Sequence, residues 1–560
     1  MFDVEKNGFY KATELSSEVE KGNNITFSGN GSLKYSTSGN PFVDDFMMIA
    51  SYRNPRPIKE VFETMRMLWS IDPITTLKES VYLRLITRDT KLFEGTKLKV
   101  QKGQGLRAEF FSRMMWLAVY HPNTFKKNLP LFVAAGSWDD IFEMLRIDLA
   151  YEHDGNKYKR ALDWKFITNF IINGLNDENQ SELIKKYLPN IKTAKFCTTK
   201  RSQHNNYIAK YLAKLLFYKK NEDGTETSKE FMYTSYSKLK SSGTAHEWQK
   251  LISQGKFEEL NFDNIPGRAL TLLANTQFLV NQGLEEKFTE WILSKNTAKF
   301  TGFVYELFAK PATKDFQKAL INKQFEGLLE TAKAGEYKDR FICCVDTSGS
   351  MSSSCYGLPN NRTIDVAKSI ALYFSYFLDD QFKDSFLEFS SSVTLRKWEG
   401  ETPYDKFWNM YSMGWGSTNF IGVAKLFANM KGMGVPEEVF PTGVICISDG
   451  EFDSCGDNTK TNFEQFLELL RQAGFSEEFV SNFKIVLWDI PNTFYGSCPE
   501  PKFESSSDAP NFFYISGFDT AGITFVLGKT PEEKSEEAPK TAEELFRAAM
   551  NQELLNLLRI

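Results

Sequence analysis

The chain has 560 residues, 42% hydrophobic and 25% charged, with 67 Lys and Arg against 72 Asp and Glu for a net charge of −5. This length implies two to four domains of about 150 residues, and the composition excludes a largely disordered chain. No apolar run approaches the ~18 residues of a membrane-spanning helix, the N-terminus MFDVEKNGFYKATE lacks the apolar stretch of a secretory signal, and seven sparse cysteines fit a reducing, cytoplasmic setting.

The net charge hides a split. Residues 341–560 hold 17 basic and 31 acidic side chains, a net of −14, which leaves +9 for residues 1–340. In chain order, residues 1–40 read as an acidic helical lead-in followed by a Gly/Asn/Ser loop over 21–40. Residues 41–337 read as an α-helical domain. In RAEFFSRMMWLAVY, Phe110, Phe111, Met114, Met115, Leu117 and Ala118 keep helical spacing. In IAKYLAKLLFY the stripe is Ile208, Leu212, Leu215 and Leu216. Breaks are expected at Pro122, Pro130, Gly136, Pro189, Pro266 and Pro311, and an exposed loop over 219–230. The style suggests an α-solenoid or bundle, without a strict repeat period.

Residues 338–530 change style. Short apolar strands are expected at 341–345, 385–389, 393–398, 442–448, 484–490 and 511–516, with helices over 363–379, 419–431 and 461–474. Apolar strands separated by helices predict a doubly wound, mostly parallel sheet covered on both faces, with ligands at the carboxyl ends of its strands. Residues 531–540 read as a charged linker. A terminal amphipathic helix follows, with Thr541 as N-cap and Glu544 completing a capping box.

One constellation carries metal chemistry. Asp346-Thr-Ser348-Gly-Ser350 follows the first of these strands, Thr418 lies in Gly416-Ser-Thr-Asn419, and Asp449 ends the strand over 442–448. Asp346 with hydroxyls two and four residues on sets three oxygens around one point, which suits a hard cation such as Mg²⁺. Asp453 is a candidate supporting acid, or an ordinary loop acid.

A second constellation is basic. Residues 185–220 contain ten Lys and Arg and no Asp or Glu. Lys210 and Lys214 are spaced to share the polar face of a helix that also carries Tyr207 and Tyr211, with His204 at its start. Lys and Arg neutralise phosphates, and Tyr and His stack on unpaired bases. A solvated helix face is the ordinary alternative.

The pattern Asp346, Ser348, Ser350, Thr418 and Asp449 resembles the metal-ion-dependent adhesion site of von Willebrand factor type A domains. The resemblance implies direct ligation by the serines and the Thr, and Asp residues acting partly through water. It leaves one position on Mg²⁺, or on another divalent cation such as Mn²⁺ or Ca²⁺, for an acidic group of a protein partner. The long stretch after Ser350, SMSSSCYGLPNNRT, departs from the pattern and bears on the rim. Further segments, taken in order, are Ser38-Gly-Asn-Pro41, residues 103–117, Gly136-Ser-Trp-Asp-Asp-Ile141, and residues 236–251 and 262–270. With a type A domain after them, they resemble the TROVE-module proteins. That group contains the Ro autoantigens and a poorly characterised Ro-related branch in plants, microbes and viruses, which is the nearer one. This resemblance covers about residues 35–527. It implies a ring of HEAT-like repeats binding small structured RNAs and single-stranded RNA ends. The candidate RNA contacts are then Lys192, Lys195, Lys200, Arg201, His204, Lys210 and Lys214.

Other motifs fail. Gly522 to Thr530 has the wrong glycine spacing for a P-loop, GQGLRA lacks a preceding strand, and the His and Cys have no zinc spacing. No nucleophile–base pair is legible, so no catalysis is expected, and a metal-dependent hydrolase is the least favoured reading. The expectation is a cytoplasmic, or virion-associated, RNA-binding scaffold without a membrane anchor. The alternative is a protein-interaction or structural component, viral or phage, that docks through its metal site without RNA.

Overall fold

The computed structural model describes residues 25–49, 56–86, 88–92, 95, 97–100, 103–150, 161–243, 247–332, 340–356, 358–378, 381–410, 415–457, 459–493, 503–506, 508–518 and 541–560. The expected lead-in over 1–20 and linker over 531–540 lie outside these residues. The chain forms two compact units, one of residues 1–54 and 266–549, the other of residues 55–265 and 550–560. The expected boundary at 337/338 marks the change of style, but it falls inside the first unit.

In chain order the strands are β1 (Ile25–Phe27), β2 (Leu33–Tyr35), β3 (Arg88–Lys91), β4 (Lys97–Val100), β5 (Phe341–Asp346), β6 (Ser354–Cys355), β7 (Leu358–Arg362), β8 (Ser385–Phe389), β9 (Val393–Lys397), β10 (Gly443–Ser448), β11 (Lys484–Asp489) and β12 (Phe512–Ser516). In the first unit six of them form a sheet in the order β12-β11-β10-β5-β8-β9, parallel throughout except for β9, which runs antiparallel to β8 at the edge. Every residue of β5 and β10 is buried. That burial is why both strands are continuous apolar runs rather than alternating ones. The Cys343, Cys344 and Cys446 thiols are core groups, and burial pushes Cys343 up to about 12.

The three expected helices appear at Thr363–Ser375, Ile421–Gly432 and Asn462–Gln472. Thr461 caps the last, accepting from the Glu464 N–H while the Glu464 carboxylate accepts from the Thr461 N–H. The helices Gly267–Asn275, Glu285–Leu293 and Asp315–Ala332, from the stretch expected to be wholly a helical domain, also belong to this unit. Phe308 stacks on Phe407 with centroids 4.3 Å apart, and Phe325 meets Tyr373 edge-on at 6.1 Å.

The segment expected as a loop over 21–40 contains the β1–β2 hairpin. Its Gly/Asn/Ser signal marks only the turn, where Gly31 takes φ +84°. The hairpin is held from far along the chain: the Tyr35 N–H donates to the Phe503 carbonyl at 2.7 Å, and the Ser28 hydroxyl to the Phe452 carbonyl at 2.9 Å.

Among the described residues the second unit is helix-rich, with one two-stranded sheet, β3–β4. The helix Arg107–Tyr120 has its predicted bounds, and all six expected core residues are buried. Two expectations fail locally. Pro130 lies inside the helix Pro122–Ala135 instead of breaking it, and Leu215 is 44% exposed. In the helix Lys200–Phe217 the buried stripe is Ile208, Ala209, Leu212 and Ala213, because alanines fill the face that Leu215 was expected to share.

The motif Gly136-Ser-Trp-Asp-Asp-Ile141 is structural. Asp140 accepts from Arg84 at 2.8 Å, from Arg107 at 2.9 Å and from the Ser137 N–H at 2.9 Å, and Trp138 donates to Gln180 at 2.9 Å. Buried charge needs this degree of pairing. The C-terminal helix also differs from expectation. Thr541 does cap it, accepting from the Glu544 N–H at 3.1 Å, but the helix Ala542–Met550 ends where Gln552 turns extended, and a short helix Glu553–Asn556 follows in the second unit. There Asn128 clasps Arg559 through its backbone, donating to the carbonyl at 2.6 Å and accepting from the N–H at 2.9 Å.

Glu504, beside the hairpin, is buried. Burial pushes its carboxyl up to about 8, against the opposing pull of the Phe463 and Asn462 N–H groups and Lys34. A carboxyl raised in the fold leaves stability intact below its ordinary value of 4.5 and lowers it as pH rises towards about 8. Glu504→Gln should therefore gain in thermal midpoint relative to the parent as pH is raised across that window. A gap independent of pH would contradict this.

Candidate metal centre and basic face

In the first unit the strand order reverses at the β5–β10 pair. From β5 the chain crosses to β8 on one side, then returns to β10 on the other and continues outward to β11 and β12. Such a switch point opens a crevice at the carboxyl ends of the two strands. Asp346 is the last residue of β5, and Asp449 directly follows β10.

The five expected residues are brought together there, and all are buried. Asp346 accepts from the Ser348 N–H at 2.8 Å and from the Ser448 hydroxyl at 2.5 Å. The Ser348 and Ser350 hydroxyls are 3.2 Å apart. The Thr418 loop is laid against this turn by backbone bonds: the Gly349 N–H donates to the Gly416 carbonyl at 3.3 Å, and the Trp415 N–H to the Thr347 carbonyl at 3.0 Å. Gly416 takes φ +89° there, which favours glycine.

Two asparagines that the sequence did not single out tie the site together. Asn492 donates to the Ser350 carbonyl at 3.2 Å and to Asp449 at 2.5 Å. Asn30 donates to the Thr418 hydroxyl at 3.5 Å and to the Glu451 carbonyl at 2.7 Å. Neither sits in a motif, so only the fold reveals them. Asp453 contributes through its backbone, its N–H donating to the Thr418 carbonyl at 3.0 Å. The stretch after Ser350 forms a short 3₁₀ turn, Gly349–Ser352, and the β6–β7 hairpin.

Burial, and then the neighbouring Asp449 charge, push the Asp346 carboxyl up to about 7. Two neighbouring buried carboxylates beside the Ser348 and Ser350 hydroxyls, with the Thr418 loop against them, are the donor types that a hard cation would balance. Among the described residues no three His, Cys, Asp or Glu side chains gather as a metal-holding group. The candidate set thus depends on its hydroxyls.

The basic candidates lie in the second unit. Lys192 and Lys195 are exposed in the connector before the helix Lys200–Phe217, which Thr199 caps. The connector is fixed to the helix by the Lys192 N–H, which donates to Asn206 at 3.0 Å. Lys195 lies 5.0 Å from the ring of Phe196, itself 61% exposed; Lys210 lies 5.6 Å from Tyr233, and Lys214 5.8 Å from Tyr218. Tyr207 and Tyr211 are parallel, with centroids 6.4 Å apart. Lys200 is exposed at the first turn. Two candidates are less available than expected. Arg201 pairs with Glu143 at 2.8 Å. Burial, with the charges of Lys200 and Arg146, holds His204 below its ordinary value, which disfavours its charged form.

Residues 340–556 match the model of one domain of unknown function, DUF7788, and residues 28–209 that of another, DUF2828. No curated protein matches. Among solved structures, the Ro (RSR) protein of Deinococcus radiodurans is 11% identical with a TM-score of 0.40, over 92% of this chain and 99% of that one. An aerotolerance-related membrane protein of Bacteroides fragilis is 12% identical with a TM-score of 0.19, over 27% of this chain and 67% of that one.

Asn492→Ala removes both donations at once. It should cost about 1–3 kcal/mol in denaturant unfolding, because it leaves buried Asp449 short of a donor. Unchanged stability would show that Asn492 does not hold the crevice together.

Proposed function

We propose that the chain is an RNA-binding scaffold of Ro-like organisation, with HEAT-like helices carrying the RNA and a type A domain carrying a divalent cation. The observation that carries this reading is the stretch of residues 192–214, whose own sequence holds no Asp or Glu. There Lys195, Lys210 and Lys214 each lie beside an aromatic ring, and Lys192 and Lys200 are exposed. Ammonium groups neutralise a phosphate backbone, and neighbouring rings such as Phe196 and Tyr207 offer stacking surfaces for unpaired bases. Structured RNA or single-stranded ends both suit such a face.

In this reading Asp346, Ser348, Ser350, Thr418 and Asp449 hold Mg²⁺ or another divalent cation, and the cation accepts an acidic group from a protein partner. The side chains themselves position the oxygens: Ser448 and the Ser348 N–H orient Asp346, and Asn492 orients Asp449. No catalysis is proposed.

A second reading, metal-dependent protein docking without RNA, is favoured by Trp415. Its side chain is 70% exposed while its backbone is bonded to the Asp346–Ser350 turn. An exposed Trp beside the crevice suits a protein contact.

If some five phosphates are neutralised, log K for a single-stranded oligoribonucleotide should fall with log[salt] at a slope of roughly −3.5 to −4.5. The variant Lys195/Lys200/Lys210/Lys214→Ala should lose most of both affinity and slope. Weak, salt-insensitive binding by both proteins would leave the docking reading in place of the RNA one. Asp346→Ala should abolish saturable Mg²⁺ binding in calorimetry with the circular dichroism spectrum unchanged; an unaltered titration would remove these residues from the metal proposal.

A further inference from the structure

The second unit contains a groove of about 570 Å³ between the helices Ser181–Tyr187, Lys229–Ser241 and Glu247–Ser253 and the connector over 188–192. Five lysines line it, Lys185, Lys186, Lys192, Lys240 and Lys250, with serine, asparagine and glutamine between them and no carboxylate among the described lining residues. Two of the ammonium groups are fixed by the backbone. Lys240 donates to the Leu188 carbonyl, and Lys250 to the Gly243 carbonyl at 2.9 Å. Burial holds Lys240 below its ordinary value. A carbonyl orients an ammonium but does not cancel its charge. Among the described residues, Lys185 has a carboxylate partner, Glu182 at 2.8 Å.

The walls are held close. A Cβ on Gly243 would come 2.9 Å from that of Lys185, so the glycine brings the two walls together. Tyr236 in the lining is buried, and its hydroxyl donates to the Pro189 carbonyl at 3.1 Å. The described lining therefore offers phosphate-binding groups with little stacking surface, the half-buried Tyr187 ring lying 5.0 Å from Lys186 at the rim. Its volume lies in the range of small-molecule sites, about 300–1,000 Å³. Concave, like-charged walls favour a compact ligand with several anionic groups over one strand spread along a surface.

We propose that this groove binds a small polyphosphorylated polyol of the inositol-phosphate class. The inference does not rest on the RNA reading, although Lys192 borders both sites.

The test is calorimetry on the full chain with myo-inositol hexakisphosphate. Saturable one-to-one binding in the micromolar range is expected, with unphosphorylated myo-inositol and inorganic phosphate at least about 100-fold weaker. Lys240→Met and Lys250→Met should each weaken binding by about tenfold or more. Should either fail to fold, Lys186→Ala/Lys192→Ala on the rim should show a comparable loss with an unchanged thermal midpoint. Lys219→Ala, outside the groove, should bind as the parent does. Absence of saturable hexakisphosphate binding, or parental affinity in the groove variants, would overturn the proposal. So would a single-stranded oligoribonucleotide that competes with hexakisphosphate and loses affinity equally in the groove variants. That outcome would make the groove part of an RNA interface and leave the proposed function standing. Hexakisphosphate binding without any RNA binding would do the reverse.

Discussion

Parallel pairing of β5 with β10 at the centre of the sheet governs the α/β unit. It places the ends of two strands about a hundred residues apart in sequence side by side, and each delivers a carboxylate to the same crevice. The register Cys344 to Cys446 sets their relative height. Full burial of both strands makes a slip of register costly, because it would draw polar strand ends into a continuous apolar core. The Ser348–Ser350 turn, the Thr418 loop and Asn492 are then local additions to a point the sheet has already defined.

That dependence explains what the sequence made legible. Runs such as Phe341–Val345 and Gly443–Ser448 are readable because burial on both faces leaves no room for a polar residue. Asp346 and Asp449 are readable because a carboxylate at the end of such a run breaks the pattern. Asn30 and Asn492 were not readable: each serves a residue far away in sequence, and nothing in its own neighbourhood asks for an asparagine. The β1–β2 hairpin escaped for a related reason. Its strands are three residues long, and their partners, Phe452 and Phe503, lie more than 400 residues on. Pro130 and Leu215 show the limit of local rules, since packing against neighbours overrode a breaker and a stripe.

The basic region shows how composition and structure differ as evidence. A count of charges finds ten cations over 185–220, but not what each one faces. Arg201 is engaged by a carboxylate, burial disfavours the charged form of His204, and Lys195, Lys210 and Lys214 lie beside rings. Lys185, Lys186 and Lys192 turn towards lysines from a later helix pair, which no window of sequence would have joined to them. The same stretch thus feeds two surfaces, one with exposed aromatic rings beside its lysines and one concave and lined mainly by lysine and neutral polar side chains.

The division of the chain into units bears on biosynthesis. Residues 55–265 are an insertion within the α/β unit, and residues 550–560 return to the helical one. Neither unit is a continuous stretch of polypeptide. On the ribosome, β1 and β2 emerge first yet must wait for Phe452 and Phe503 before their hydrogen bonds can form. The Asn128 side chain in turn waits for Arg559. Neither unit has its full set of contacts until residues 503 and 559 have been made, so both mature long after their first elements, and no single cut separates them as intact pieces.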